Sequence, residues 1–186
     1  MNKKQVLTSD DRATYRAILE GVAAIPGLGV IANRFPWQSR MAIEKLLDFA
    51  LQHKLRVSIL SGGGPEGFYD ESLAKKLREC KSAGCQPIRI LIWQKDTADI
   101  SPALMGLSEA GAIDLRISGT DEFADRIPHF VLVGDQAFRQ EAAHRRFAKE
   151  TVFTETDPQI PARIDFHDKE TGERLQKTFD RLWEGQ

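Results

Sequence analysis

The stretch PHFVLVGDQAFRQE, residues 128–141, decides how this chain is read. Its first half, HFVLVG (129–134), is apolar enough for a strand covered on both faces. Its second half admits two readings. As turn and return strand, DQAFRQE closes a β-hairpin around Asp135; as part of QAFRQEAAHRRFAKE it makes a helix over 136–151. The charged residues do not choose between them. The choice matters because chemistry-bearing side chains crowd here: Arg126, His129, Asp135, Arg139, Glu141 and His144. In an extended strand His129 and Asp135 stand about 20 Å apart, at roughly 3.3 Å per residue, so they cannot touch. A hairpin returns Arg139 and Glu141 alongside the strand.

Outward from this stretch, apolar periodicity alternates between two types. Ile43, Leu46, Leu47, Ala50 and Leu51 fall at helical spacing, predicting an amphipathic helix over 39–53 that Ser39 can cap. LRVSIL (55–60) follows as a strand and SGGGPEG (61–67) as a loop. A helix runs from about Asp70 to Ala83 with Leu73, Leu77 and Cys80 inward, and Gly84 suits a left-handed end. IRILIW (88–93) is a strand. A short helix around PALMGLSEA opens on Pro102 and ends near Gly111. AIDLRI (112–117) and PARIDF (161–166) are strands, and 169–183 is a helix with Leu175, Phe179, Leu182 and Trp183 on one face. Upstream, VAAIPGLGVIANRF (22–35) reads as a turn feeding a short buried strand, and residues 1–13 as polar and loose. The pattern is α/β: a mixed, largely parallel sheet with helices on both faces.

Composition narrows the class. The chain has 186 residues, 28% of them charged and 41% hydrophobic, enough for one domain with its own core. Twenty-six basic against 27 acidic residues give a net charge of −1. A wrapper of nucleic acid usually carries a large basic excess, so any nucleic-acid binding here is confined to one face. The apolar stretches fall short of the 18 or so residues a membrane helix needs, and no secretory signal opens the chain. The expectation is a cytoplasmic protein without a membrane partner, and the two cysteines, Cys80 and Cys85, fit a reducing compartment.

A second candidate site lies in SGGGPEG. Gly62, Gly64 and Gly67 match G-x-G-x-x-G, and Gly62, Gly63 and Gly64 can bring backbone N–H groups to an anion. Pro65 interrupts the loop, and the next strand ends in Trp93-Gln94-Lys95 rather than the acidic residue that a dinucleotide site expects. A tight turn explains the same residues. His53, His129, His144 and His167 match no metal spacing, so neither metal nor cofactor is expected. His167-Asp168 reads as a strand end feeding a helix cap. Cys80 is expected in the core and Cys85 partly exposed. Trp37, beside Phe35 and Pro36, is the aromatic placed to line a pocket or interface.

The element order, with LRVSILSGG, FYD entering a helix, IRILIW, GAIDLRI, PHFVLVGDQAFRQE and the closing PARIDFHDKETGERLQKTFDRLW, resembles the phospholipase D-like fold. The resemblance implies one phospholipase D-like domain over 20–186 behind a polar N-terminal extension, 1–19. It also implies H-x-K-x4-D, whose histidine attacks phosphorus and whose lysine holds phosphate oxygens, with a downstream asparagine assisting. A second histidine, from a second motif or a dimer partner, acts as general acid. Here His129 takes the histidine's position, Val131 stands at the lysine, Asp135 falls one residue early, and no GSxN follows. The motif is degenerate. Arg139 or Arg126 is the candidate replacement cation, although a guanidinium fork is not a lysine.

Three functions compete on these residues. The leading one is a non-catalytic phospholipase D-like module, homodimeric, binding a protein partner, a phosphate-bearing ligand or nucleic acid through the residues around His129. The second is a metal-independent phosphodiesterase or nuclease with His129 as nucleophile and Arg139, Arg126 and Glu141 in support. The third is a nucleotide-binding domain using the Gly62–Gly64 loop.

Overall fold

In the computed structural model, which describes residues 5–63, 68–95, 97–122, 124–143 and 161–185, side-chain alternation along the strands sorts the apolar residues onto two faces of one sheet. The elements in chain order are β1 (Val6–Leu7), α1 (Arg12–Ala24), β2 (Val30–Asn33), α2 (Pro36–His53), β3 (Val57–Ser61), α3 (Glu71–Ser82), β4 (Ile88–Ile92), α4 (Pro102–Glu109), β5 (Asp114–Ile117), β6 (Phe130–Val133), β7 (Ala137–Glu141), β8 (Ala162–Asp165) and α5 (Lys169–Glu184). The strands lie in the order β1-β2-β8-β7-β6-β3-β4-β5. The pairings β1–β2, β3–β4 and β4–β5 are parallel and the other four antiparallel, which leaves β6 and β8 alone running against the other strands. The sheet is mixed and largely parallel in strand direction, as the sequence predicts.

Val57, Ile59, Ile88, Ile90, Ile92, Val131, Val133 and Ile164 point into a core shared with α1 to α4. Leu60, Leu91, Phe130, Leu132 and Phe138 point the other way, into a smaller core with Leu175, Phe179 and Trp183 of α5. Burying each of these large side chains contributes about 2 kcal/mol. Helices therefore cover both faces. Trp183 also stacks under Arg116 at 4.4 Å and Arg89 at 5.5 Å, which fixes the end of α5 to β4 and β5.

The ambiguous segment resolves over 137–141 as a strand. β7 pairs with β6 from Val133↔Ala137 to Phe130↔Gln140, and Gly134, at φ +64°, supplies the left-handed turn residue. Ala137 and Phe138 are fully buried because β8 flanks β7 on its other side, a setting that only a strand can fill. Residues 144–151 lie outside the described residues.

Four expectations are corrected. The N-terminal stretch is not an extension from Val6 onward: β1 pairs with β2, and α1, capped by Asp11 accepting from the Thr14 N–H at 2.7 Å, buries Tyr15, Leu19 and Val22. Those three sit at i, i+4 and i+7, an apolar stripe too narrow to stand out among polar neighbours. α2 begins at Pro36 rather than Ser39, so Ser39 is an interior helix residue, buried and turned to the sheet. Trp37 is likewise in the first turn of α2, packed edge-on against Tyr15 at 5.4 Å. Cys85 is fully buried; its thiol donates to the Ala50 carbonyl at 3.2 Å. By contrast Gly84 (φ +90°) ends α3 and Asp168 caps α5, as read from the sequence. Among the described residues, no helix is long and apolar enough to cross a membrane.

Candidate functional site

The register places a row of residues across the sheet at one end. Asn33 of β2 pairs with Ala162 of β8, and Ala162 pairs with Glu141 of β7. The Glu141 N–H donates to the His129 carbonyl at 2.8 Å, which puts His129 next in the row. Continuing the β3–β6 register by one residue brings Ser61 beside His129. The whole row faces α1 to α4, at the carboxyl ends of β2, β3 and β4. Open α/β sheets bind ligands at that end. Ala162 is the small member, and it lets the Asn33 and Glu141 sides approach across it.

Arg139 ties the row together. It lies one step down, opposite Val131, on the same face. Its Nε donates to Asn33 Oδ1 at 3.1 Å, and its Nη2 donates to Ser39 Oγ at 2.8 Å and to Glu141 Oε1. Asn33 Nδ2 closes the ring by donating to Ser39 Oγ at 2.9 Å. Arg139 is only 5% exposed and Asn33 fully buried. A guanidinium so enclosed is stable only because each of these acceptors meets it. The other Glu141 oxygen, Oε2, stands 3.7 Å from His129 Nδ1. Arg139 thus fixes the carboxylate, and the carboxylate faces one nitrogen of the imidazole.

The second sequence candidate joins the same site. A Cβ placed on Gly62 would lie 2.6 Å from both Cε1 and Nε2 of His129, so the imidazole packs directly on the Gly62 backbone. The glycine is needed for this close approach. Gly62→Ala is expected to leave far-UV circular dichroism unchanged and to move the His129 imidazole resonances in nitrogen-detected NMR. Unmoved resonances would show that the ring does not pack there.

Two buried phenols border the cluster. The Tyr69 hydroxyl makes no hydrogen bond of good geometry among the described residues, although the Ser61 side chain stands close enough to lower its pKa as a loose hydrogen-bonding neighbour. Burial, the larger effect, pushes it up to about 12, and Glu141 adds to the rise. Tyr15, whose hydroxyl likewise makes no hydrogen bond among the described residues, is raised by burial while the Arg139 charge opposes the shift. Ser61 donates to the Gly63 carbonyl at 2.7 Å. Arg40 staples the approach to α3, donating to the Phe68 carbonyl at 2.9 Å and to Asp70 Oδ1 at 2.6 Å. Asp70 also accepts from the Leu73 N–H at 2.9 Å. The N-terminus of α3, where a dinucleotide reading puts pyrophosphate, is held by this carboxylate.

Of the residues singled out in the sequence, His129, Arg139, Glu141 and Gly62 come together, with Gly63 adjoining. Asp135 does not: it sits at the opposite end of β6, 3.7 Å from Lys169. Arg126 lies exposed on the 3-10 turn Ala124–Arg126. His144 and Gly64 lie outside the described residues. Sequence reasoning missed Asn33, Ser39, Ser61, Tyr69 and Tyr15. Ser61, next to Gly62 at a strand end, carried the one local signal. Among the described residues, no group of three or more His, Cys, Asp or Glu side chains is placed to hold a metal ion.

No family model and no curated protein matches the sequence. Two solved structures share the fold. Polyphosphate kinase from Porphyromonas gingivalis superposes with a TM-score of 0.58 at 13% identity, over 89% of this chain and 27% of that one. NucT from Helicobacter pylori superposes with a TM-score of 0.54 at 13% identity, over 83% of this chain and 95% of that one. The chain therefore spans about a quarter of the kinase's length and nearly all of NucT's. The fold is phospholipase D-like.

Proposed function

We propose that this chain is a phospholipase D-like domain with a degenerate motif, which binds a phosphate-bearing ligand at the His129–Gly62 site without turning it over. The observation that carries the reading is the commitment of Arg139. Val131 occupies the motif lysine's position, and the cation directly across the hairpin from it is buried and engaged by Asn33, Ser39 and Glu141. A group that stabilises charge on a transferring phosphoryl oxygen must be able to reach that oxygen. One structure that shares the fold is a polyphosphate kinase, which supports phosphate as the ligand chemistry. The reading includes a homodimer that sets two His129 sites together, and a cytoplasmic home for the free thiols of Cys80 and Cys85.

A second reading is a metal-independent phosphodiesterase. It is favoured by the His129 Nδ1–Glu141 Oε2 approach of 3.7 Å, which leaves the ring's other nitrogen beside Gly62, away from the carboxylate, as a nucleophilic histidine requires. One experiment separates the two. Wild type and His129→Ala are assayed in EDTA with a chromogenic phosphodiester and with labelled single- and double-stranded DNA. The expected result is no turnover by either protein, with binding of tripolyphosphate or the single strand weakened about 10-fold or more in the variant, the value of one hydrogen bond to a charged group. Turnover by wild type that His129→Ala abolishes would overturn the binding reading and establish the phosphodiesterase.

A further inference from the structure

We propose that the Tyr69 hydroxyl is a ligand-contacting group of this site, donating its hydrogen to a phosphoryl oxygen held over Gly62 and His129. The proposal rests on the phosphate-binding reading and adds a donor that the sequence did not point to. Tyr69 is 2% exposed, yet its hydroxyl makes no hydrogen bond of good geometry among the described residues and has only a loose neighbour in Ser61. Leaving a buried hydroxyl without a well-made hydrogen bond is costly, so native proteins rarely keep one without a use.

The surroundings hold the ring in place. The Ser101 hydroxyl donates to the Tyr69 carbonyl, and Arg40 holds the residues on either side, Phe68 through its carbonyl and Asp70 through its carboxylate. The ring packs edge-on against Phe68 at 5.0 Å. Its neighbours are Ser61 and Glu141, both in the His129 row. Ser61 spends its own hydrogen on the Gly63 carbonyl, so toward Tyr69 it can only accept, and a phosphoryl oxygen competes with its Oγ for the Tyr69 hydrogen. Glu141 is already neutralised by Arg139, so a phosphate arriving here does not face a bare carboxylate.

The chemistry suits the role. With its pKa pushed up to about 12, the phenol keeps its hydrogen across the working range and offers a neutral donor. It brings no charge, so it binds phosphate without restoring what the motif lysine supplies. That fits a site that holds its ligand rather than cleaves it.

The test is Tyr69→Phe, which removes one oxygen and keeps the ring. Affinity for inorganic tripolyphosphate and for a single-stranded oligodeoxynucleotide is measured by titration calorimetry in EDTA, with His129→Ala alongside and thermal unfolding of each protein. Tyr69→Phe is expected to weaken binding about 10- to 100-fold, as for a hydrogen bond to a charged acceptor, while its unfolding temperature stays the same or rises. Weakening with only one probe supports the contact and names its source. Wild-type affinity in Tyr69→Phe, beside weakened binding in His129→Ala, overturns the Tyr69 contact alone. A lowered unfolding temperature with unchanged affinity overturns it too, by giving the hydroxyl a structural partner. Failure of wild type to bind either probe, or wild-type affinity in His129→Ala, overturns the phosphate-binding reading underneath.

Discussion

Gly172→Ala is expected to cost the protein about 3 kcal/mol or more of unfolding free energy, although glycine to alanine inside a helix ordinarily gains up to about 1 kcal/mol. The sign reverses because α5 approaches the β6–β7 turn with nothing between the backbones. A Cβ on Gly172 would lie 2.1 Å from the Asp135 carbonyl oxygen, 2.4 Å from its carbon and 2.7 Å from the Gln136 nitrogen. None of these atoms ends a flexible side chain. Either the turn or the first turn of α5 must move, and Asp168 already binds both, donating its N–H to the Gln136 carbonyl at 3.2 Å and capping the Thr171 N–H at 3.1 Å. Lifting α5 also uncovers Leu175, Phe179 and Trp183. Urea unfolding monitored by tryptophan fluorescence checks this; a variant as stable as wild type would show that the helix does not sit so close.

Arg139→Met is expected to cost about 3–5 kcal/mol, the usual penalty for removing one partner of a buried ion pair. The loss comes less from the vanished attraction than from what stays behind: the Glu141 carboxylate and the Asn33 Oδ1, enclosed and without their cation. Two further variants separate these terms. Arg139→Lys keeps the charge but cannot reach Asn33, Ser39 and Glu141 from one rigid fork, and falls between. The pair Arg139→Met with Glu141→Leu removes both ions and is expected to recover most of the stability. A cost under about 1 kcal/mol for Arg139→Met, or no recovery in the double variant, contradicts the enclosed network.

The helices α2, α3 and α5 were legible because each carries a broad apolar face at helical spacing, and β3, β4 and β6 because they are short, apolar and bounded by turn residues. The segment after Asp135 was not, since AFRQE alternates too briefly to exclude a helix. What decides it is β8 lying against β7, and that is a tertiary fact. The site divides the same way. His129, Arg139 and Glu141 were within reach of the sequence because one hairpin carries all three. Asn33 and Ser39 were not: they stand 106 and 100 positions from Arg139, and only the strand order brings them to it. Ser39 was further hidden by reading as a cap. Asp135 misled in the other direction, being near His129 along the chain and at the far end of the strand in space.

The position of β8 also orders events as the chain folds. β1 and β2 precede the other strands, yet they join the rest of the sheet only through β8, which follows them all in chain order. Until that strand pairs, β2 and β7 present two unpaired edges, each inviting the wrong neighbour. Arg139 meanwhile has Glu141 but not its acceptors from β2 and α2. Closure of so distant a pairing is slow by its nature, since the intervening chain loses its freedom before the contacts form. β8 is thus the keystone, and the cluster around His129 takes its shape when that strand drops into place.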